Sequence, residues 1–221
     1  MLRAGMVRCS PLHSSGASER AFARFARASG GVSAIEFALI LPVLLAIFVG
    51  LSEYAHAVDN WRKVTQLART VSDLTAQGDA QNPIDASLMR DILATSTLVL
   101  KPFDASGVKI VVSAMAVDLT NLNLIPRVCS STANANASPR ATGAASDLTV
   151  PTGFRTNGVR YVLTEVSMPY TPMLGSALVK LVNGATSTIT LKSSMPWPAR
   201  GGQPAKSTYT EVWMPGGAAC P

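Results

Sequence analysis

Histidine is almost missing from this chain: His13 and His56 are the only two in 221 residues. Beyond residue 56 there is no imidazole at all, which excludes a His-based catalytic triad and any Cys/His metal spacing from that region. Cysteine is nearly as scarce, with Cys9, Cys129 and Cys220 too far apart to read as a ligand cluster. No Gly-x-x-x-x-Gly-Lys loop is present to cradle a phosphate, and the Gly201-Gly202 pair lies in a Pro-rich stretch. Serines and acids occur throughout without a distinguishing arrangement, and no internal repeat is evident. The sequence therefore offers no catalytic residue, no metal site and no cofactor site, and the expectation is a protein that is not an enzyme.

Acidic residues are sparse at the start of the chain. Before Val32 there are five arginines, Arg3, Arg8, Arg20, Arg24 and Arg27, against the single acid Glu19. The formal net charge of +6 comes largely from this segment, because the remainder holds fourteen Lys and Arg against twelve Asp and Glu. The basic excess is a topology signal rather than the patch that nucleic-acid binding requires, so no nucleic-acid partner is expected.

Next in the chain comes an apolar run from Val32 to Leu51 in which Glu36 is the only ionisable side chain. Twenty residues of helix at about 1.5 Å rise cover the roughly 30 Å hydrocarbon core of a bilayer. A membrane-inserted helix is expected, with the arginine-rich segment on the cytoplasmic side and the C-terminal part outside, since no basic cluster occurs until Arg62. An acid inside such a run is unfavourable and marks a functional position that needs a partner. The alternative is that Glu36 snorkels to the headgroups. A cleaved secretory signal is a second alternative, with Ala55-His56-Ala57 as its small-residue cleavage pattern; the run is longer than an ordinary signal's apolar core and carries a charge.

The helical pattern continues past the interface. Leu51, Tyr54, Ala55, Val58, Trp61, Val64, Thr65, Ala68, Val71, Leu74 and Thr75 recur at spacings of three and four, with Gly78 as a C-cap and Pro83 beyond it. This stripe is read as covering the chain's own domain in preference to a coiled coil, for which only about three heptads are available. Further on, Asp85 is placed to cap a helix over 86–98 that shows Leu88 and Ile92 on one face. Strands are expected over 108–117, 160–166 and 187–191, a fourth short one over 209–213, and a short helix over 172–182. Residues 121–158 and 196–206 read as loops. The sequon Asn136-Ala137-Ser138 is treated as chance. The expected fold class is α+β, a long N-terminal helix packed on a mainly antiparallel sheet. Its expected parts are a basic leader over 1–31, a transmembrane helix over 32–51, the helix's continuation over 52–78, and an α+β domain with long loops over 79–221.

The string Gly31-Val32-Ser33-Ala34-Ile35-Glu36-Phe37, continued through Ala38-Leu39-Ile40-Leu41-Pro42, resembles the processing motif of type IV pilin-like proteins in the tight-adherence (Tad) branch. It is similar to the start of TadE-like and TadG-like pilus assembly proteins. The resemblance is strong over about residues 29–75. It returns modestly at Leu163-Thr164-Glu165-Val166-Ser167-Met168-Pro169-Tyr170-Thr171-Pro172 and at Ile189-Thr190-Leu191-Lys192-Ser193-Ser194. It implies a pilin-like fold and cleavage by a prepilin peptidase after Gly31, with Val32 as the first mature residue, Glu36 fifth and Phe37 sixth. It also implies a bacterial inner-membrane location and a pseudopilin-like role in assembling a Tad-type pilus or secretion apparatus. The implied partners are other pilin-like subunits, the Tad secretion machinery, the peptidase and the membrane. A neighbouring subunit's Glu36 could neutralise the new Val32 amine in a low-dielectric setting, which would favour docking. Both a processed TadE-like component and an uncleaved TadG-like anchor fit. So does a reading of another class, a bitopic anchor displaying a periplasmic binding or hydrolytic domain.

With the C-terminal part in an oxidising periplasm, Cys129 and Cys220 are expected to form a disulfide, and Cys9 stays apart with the leader. Two unpaired thiols are the alternative.

Overall fold

The computed structural model describes residues 30–78, 84–117, 124–172, 188–202 and 209–220, with side chains from Ser33 onward. The basic leader before Gly30 lies outside the described residues, as does the helix expected over 172–182 beyond Pro172. The chain divides into two compact units, Met1–Gly50 and Leu51–Pro221.

Helix α1 (Gly30–Thr75) runs through Pro42 without a break. Proline is tolerated at this position because a span can accommodate the one carbonyl that loses its amide partner. In the second unit, Asn60, Val64, Leu67, Ala68, Val71, Ser72 and Thr75 are buried, a spacing of three and four that draws one stripe along the helix. The expected stripe is corrected in two respects. Leu67, absent from it, is fully buried, and Leu51, Tyr54 and Trp61 are exposed. Helix α1 begins to cover its domain only from about residue 60. Its end also differs from expectation. Gly78 donates to the Thr75 carbonyl (3.2 Å), and it also fills a spatial role: a Cβ there would collide with Ile84 Cγ1.

Asp85 caps helix α2 (Ala86–Ala94) by accepting from the Leu88 amide at 2.7 Å. The helix expected over 86–98 is interrupted at Thr95 and resumes as the short α3 (Ser96–Val99). Thr95 Oγ1 donates to the Ile92 carbonyl (2.6 Å) and Thr97 Oγ1 to that of Ala94 (2.9 Å), side-chain bonds that compete with a continuous ladder. The buried face of α2 is Met89 and Ile92; Leu88 is exposed.

The sheet has five strands in the order β3-β2-β1-β4-β5, each pair antiparallel. They are β1 (Lys109–Ala116), β2 (Arg127–Ala133), β3 (Gly143–Ala144), β4 (Arg160–Tyr170) and β5 (Ile189–Pro198). Alternation sends Ile110, Val112 and Ala114 of β1, with Val162 and Val166 of β4, to one face. There they share a core with Val64, Leu67, Ala68 and Val71 of α1. Met115, Tyr161 and Leu163 point to the opposite face and pack with Val117, Val128, Ala145 and Val150. The fold is therefore α+β, with a helix on one side of an antiparallel sheet.

Three expectations fail in this region for identifiable reasons. Residues 121–158 read as loop in the sequence but contain β2 and β3. Ser130 and Ser131 of β2 are not among the residues that favour strands, yet their hydroxyls are used: Ser131 Oγ donates to the Val112 carbonyl (3.1 Å), and Ser130 Oγ accepts from the Met214 amide (3.2 Å). Strands β4 and β5 outrun their expected ends, β5 through Pro196 and Pro198. β5 lies at the edge of the sheet, where proline costs no ladder bond on the open side, and Pro169 of β4 lies past the last residue that β1 pairs. Residues 209–213 form no strand; they open an irregular strap, residues 209–220, held to the sheet by side chains.

Candidate functional site

The sequence places its candidate site at the start of α1. Gly31 and Val32 lie in the helix's first turns, and Glu36 and Phe37 stand one turn later, both exposed. Along this segment Ile35, Leu39, Ile40, Val43, Leu44, Leu45, Ile47 and Phe48 are all more than half exposed. So much uncovered apolar surface in water would be a liability; it is the surface of a helix that meets lipid or another apolar helix. Helix α1 has the length and composition to cross a membrane, and none of its most apolar window is buried within the chain. Glu36 is the one charge on that surface. It is the seventh residue of α1 and so lies beyond the helix's first turn, which holds no acid.

The second unit carries two further constellations. Tyr170 Oη donates to Glu53 Oε2 at 3.4 Å, joining the end of β4 to α1. Burial, then the Glu53 charge, pushes the Tyr170 phenol above its ordinary range. The other constellation is the strap. Cys220 is joined to Cys129 by a disulfide, across 91 residues of sequence. Cys129 is the extra residue of a β-bulge: Ala114 pairs with Ser130, and Met115 with Val128. The bulge turns Ser130 to the same side as Cys129, so both meet the strap. A Cβ on Gly217 would lie 2.6 Å from Ser130 Cβ, which leaves glycine as the fitting residue.

Glu211 organises the strap from within. Its carboxylate is buried and accepts from Trp213 Nε1 (3.0 Å) and the Cys220 amide (3.3 Å), with Arg160 Nε at 3.9 Å. The Arg160 guanidinium in turn lies over the Tyr209 ring at 4.1 Å. Sequence reasoning singles out neither Glu211 nor the Arg160 side chain. No local pattern could reveal them, since the pair joins residues 51 positions apart that only the topology brings together. Among the described residues, no three His, Cys, Asp or Glu side chains gather to hold a metal ion.

An exposed apolar helix carrying one acid, with an α+β unit after it, defines a candidate single-pass membrane anchor. Residues 31–73 match the family model described as TadE-like protein, so the match opens at Gly31 and covers most of α1. It associates the chain with Tad-pilus-related assembly. No curated protein and no solved structure matches the chain.

Proposed function

We propose that this protein is an inner-membrane, pseudopilin-like component that acts in assembling a Tad-type pilus or secretion apparatus, by docking rather than by chemistry. The observation that supports this most directly is the coincidence of the family match with an apolar helix that carries a single acid. In this reading the arginine-rich segment stays in the cytoplasm and a prepilin peptidase cuts between Gly31 and Val32. Glu36 then accepts the Val32 amine of a neighbouring pilin-like subunit. Both partners lie where water is scarce, so the ion pair is stronger than at the surface, and an unpaired carboxylate there is correspondingly unfavourable. The domain beyond α1 faces the periplasm, where Cys129 and Cys220 meet oxidising conditions.

The test is genetic complementation in a host with a Tad system. Deleting the gene is expected to abolish or sharply reduce sheared pili, and the full chain to restore them. Undiminished piliation in the deletion strain would refute the assembly role. Loss of binding to a periplasmic ligand with normal piliation would instead favour the bitopic anchor.

A further inference from the structure

The face of the sheet away from α1 is covered over only part of its length. Its Leu163 and Tyr161 rungs lie under residues 145–159, whereas two rungs stay open: Lys109–Ser167–Lys192 and Val111–Glu165–Ser194. A cavity of about 580 Å³ stands over these open rungs, walled by Ala137 and Arg140. The wall is fixed. Asn134 accepts from the Ile110 amide (3.0 Å) and donates to the Val108 carbonyl (2.8 Å). Asn136 donates to the carbonyls of Ser106 (2.7 Å) and Val108 (2.9 Å), and the Arg140 amide donates to Ser131 Oγ (3.0 Å).

The charges of this cleft are unbalanced in one sense. Arg140 is spent internally, its guanidinium on both oxygens of Glu165 and on Asp147. Lys109 and Lys192 are exposed, and among the described residues neither is within ion-pair distance of a carboxylate. They stand two strands apart on one face, roughly 10 Å at the backbone, with the Ser167 hydroxyl between them. A single small anion does not fill that span. Carboxylates at alternate positions of an extended peptide, about 7 Å apart, lie within reach of both flexible ammonium groups, while Val111 in the floor and Ala137 in the wall offer apolar surface to the peptide's methylenes.

We infer that this cleft binds an extended acidic segment of a partner polypeptide, held by Lys109 and Lys192 against a preformed wall. A fixed wall spares the ordering cost that weakens loop-built sites. Attraction between exposed charges makes the binding salt-sensitive.

The test uses the full chain in phosphatidylcholine nanodiscs and a fluorescein-labelled Gly-Glu-Ser-Glu-Ser-Glu-Gly peptide, read by anisotropy. Saturable binding is expected, weakened about tenfold or more in the Lys109→Glu/Lys192→Glu variant and lost for the peptide with Gln in place of Glu. Both lysines are exposed, so the variant should keep its melting temperature and its Cys129–Cys220 bond, which verifies folding. Equal affinity in the variant, equal binding of the Gln peptide or no saturable binding would overturn the proposal. So would displacement by inorganic phosphate or dihexanoyl phosphatidylglycerol at lower concentration than unlabelled peptide, which would assign the lysines to a phosphate or a lipid headgroup.

Discussion

Replacing Cys129 and Cys220 together by alanine tests how the strap is held. The bond closes a loop across 91 residues. By the loop-entropy relation, a loop of this size constrains the unfolded chain by about 4 to 5 kcal/mol, the upper end of what native disulfides deliver. The strap retains other holds: Val212 and Met214 are buried in the helix-side core, and Glu211 keeps its bond to Trp213 and its proximity to Arg160. The variant should therefore fold, with global stability lower by about 3 kcal/mol. Urea unfolding of the full chain in detergent, monitored by tryptophan fluorescence, measures this. Hydrogen exchange adds a local signature. The amide of residue 220, bonded to Glu211 at the end of the strap, should exchange much faster in the variant, and the Met214 amide, bonded to Ser130 beneath buried side chains, should change less. A loss under about 1 kcal/mol, or equal acceleration at both amides, would refute the strap as a clamp closed by this bond.

Three other outcomes are expected. Leu67→Ala should destabilise the second unit by about 3 kcal/mol in the same urea assay, whereas Trp61→Ala, on the exposed side of α1, should cost well under 1 kcal/mol. Burial pushes the Tyr161 phenol up to about 12 from 10.0. The unfolded chain thus ionises first, and the tyrosine's contribution to stability is intact below pH 10 and lost as pH rises toward 12. Urea midpoints should fall over that window, and less so in Tyr161→Phe. Mass spectrometry of the membrane-extracted chain from peptidase-positive cells should find Val32 at the N-terminus; a start at Val58 would establish a secretory signal, and a start at Met1 an uncleaved anchor.

The sequence made α1, β1 and most of β4 legible because each carries its own periodic apolar pattern. Residues 32–51 are apolar almost throughout, residues 108–117 are rich in β-branched side chains, and Asp85 stands where a cap should. It hid β2, whose Ser130 and Ser131 carry no strand signal and find their hydrogen-bond partners in Met214 and Val112, far off in sequence. It hid the far half of β5 behind Pro196 and Pro198, which an edge position excuses and a central one would not. Of the candidate site, Gly31, Glu36 and Phe37 are local and visible. Arg160 of β4 with Glu211 of the strap, and Lys109 with Lys192 in the cleft, come from elements distant in sequence, and no window contains both members of either pair.

The central claim is that Glu36 docks this protein onto other pilin-like subunits. The most direct measurement is site-specific photocrosslinking from residue 40, one turn along α1 from Glu36, in pilus-producing cells, comparing the native chain with Glu36→Ala. Removing a charge leaves the span more apolar, so membrane insertion should be unchanged. Crosslinks to pilin-like subunits should be present in the native chain and largely lost, together with piliation, in the variant. Normal crosslink yield and normal piliation in Glu36→Ala would show that the carboxylate reaches the headgroups instead, and would contradict the docking mechanism.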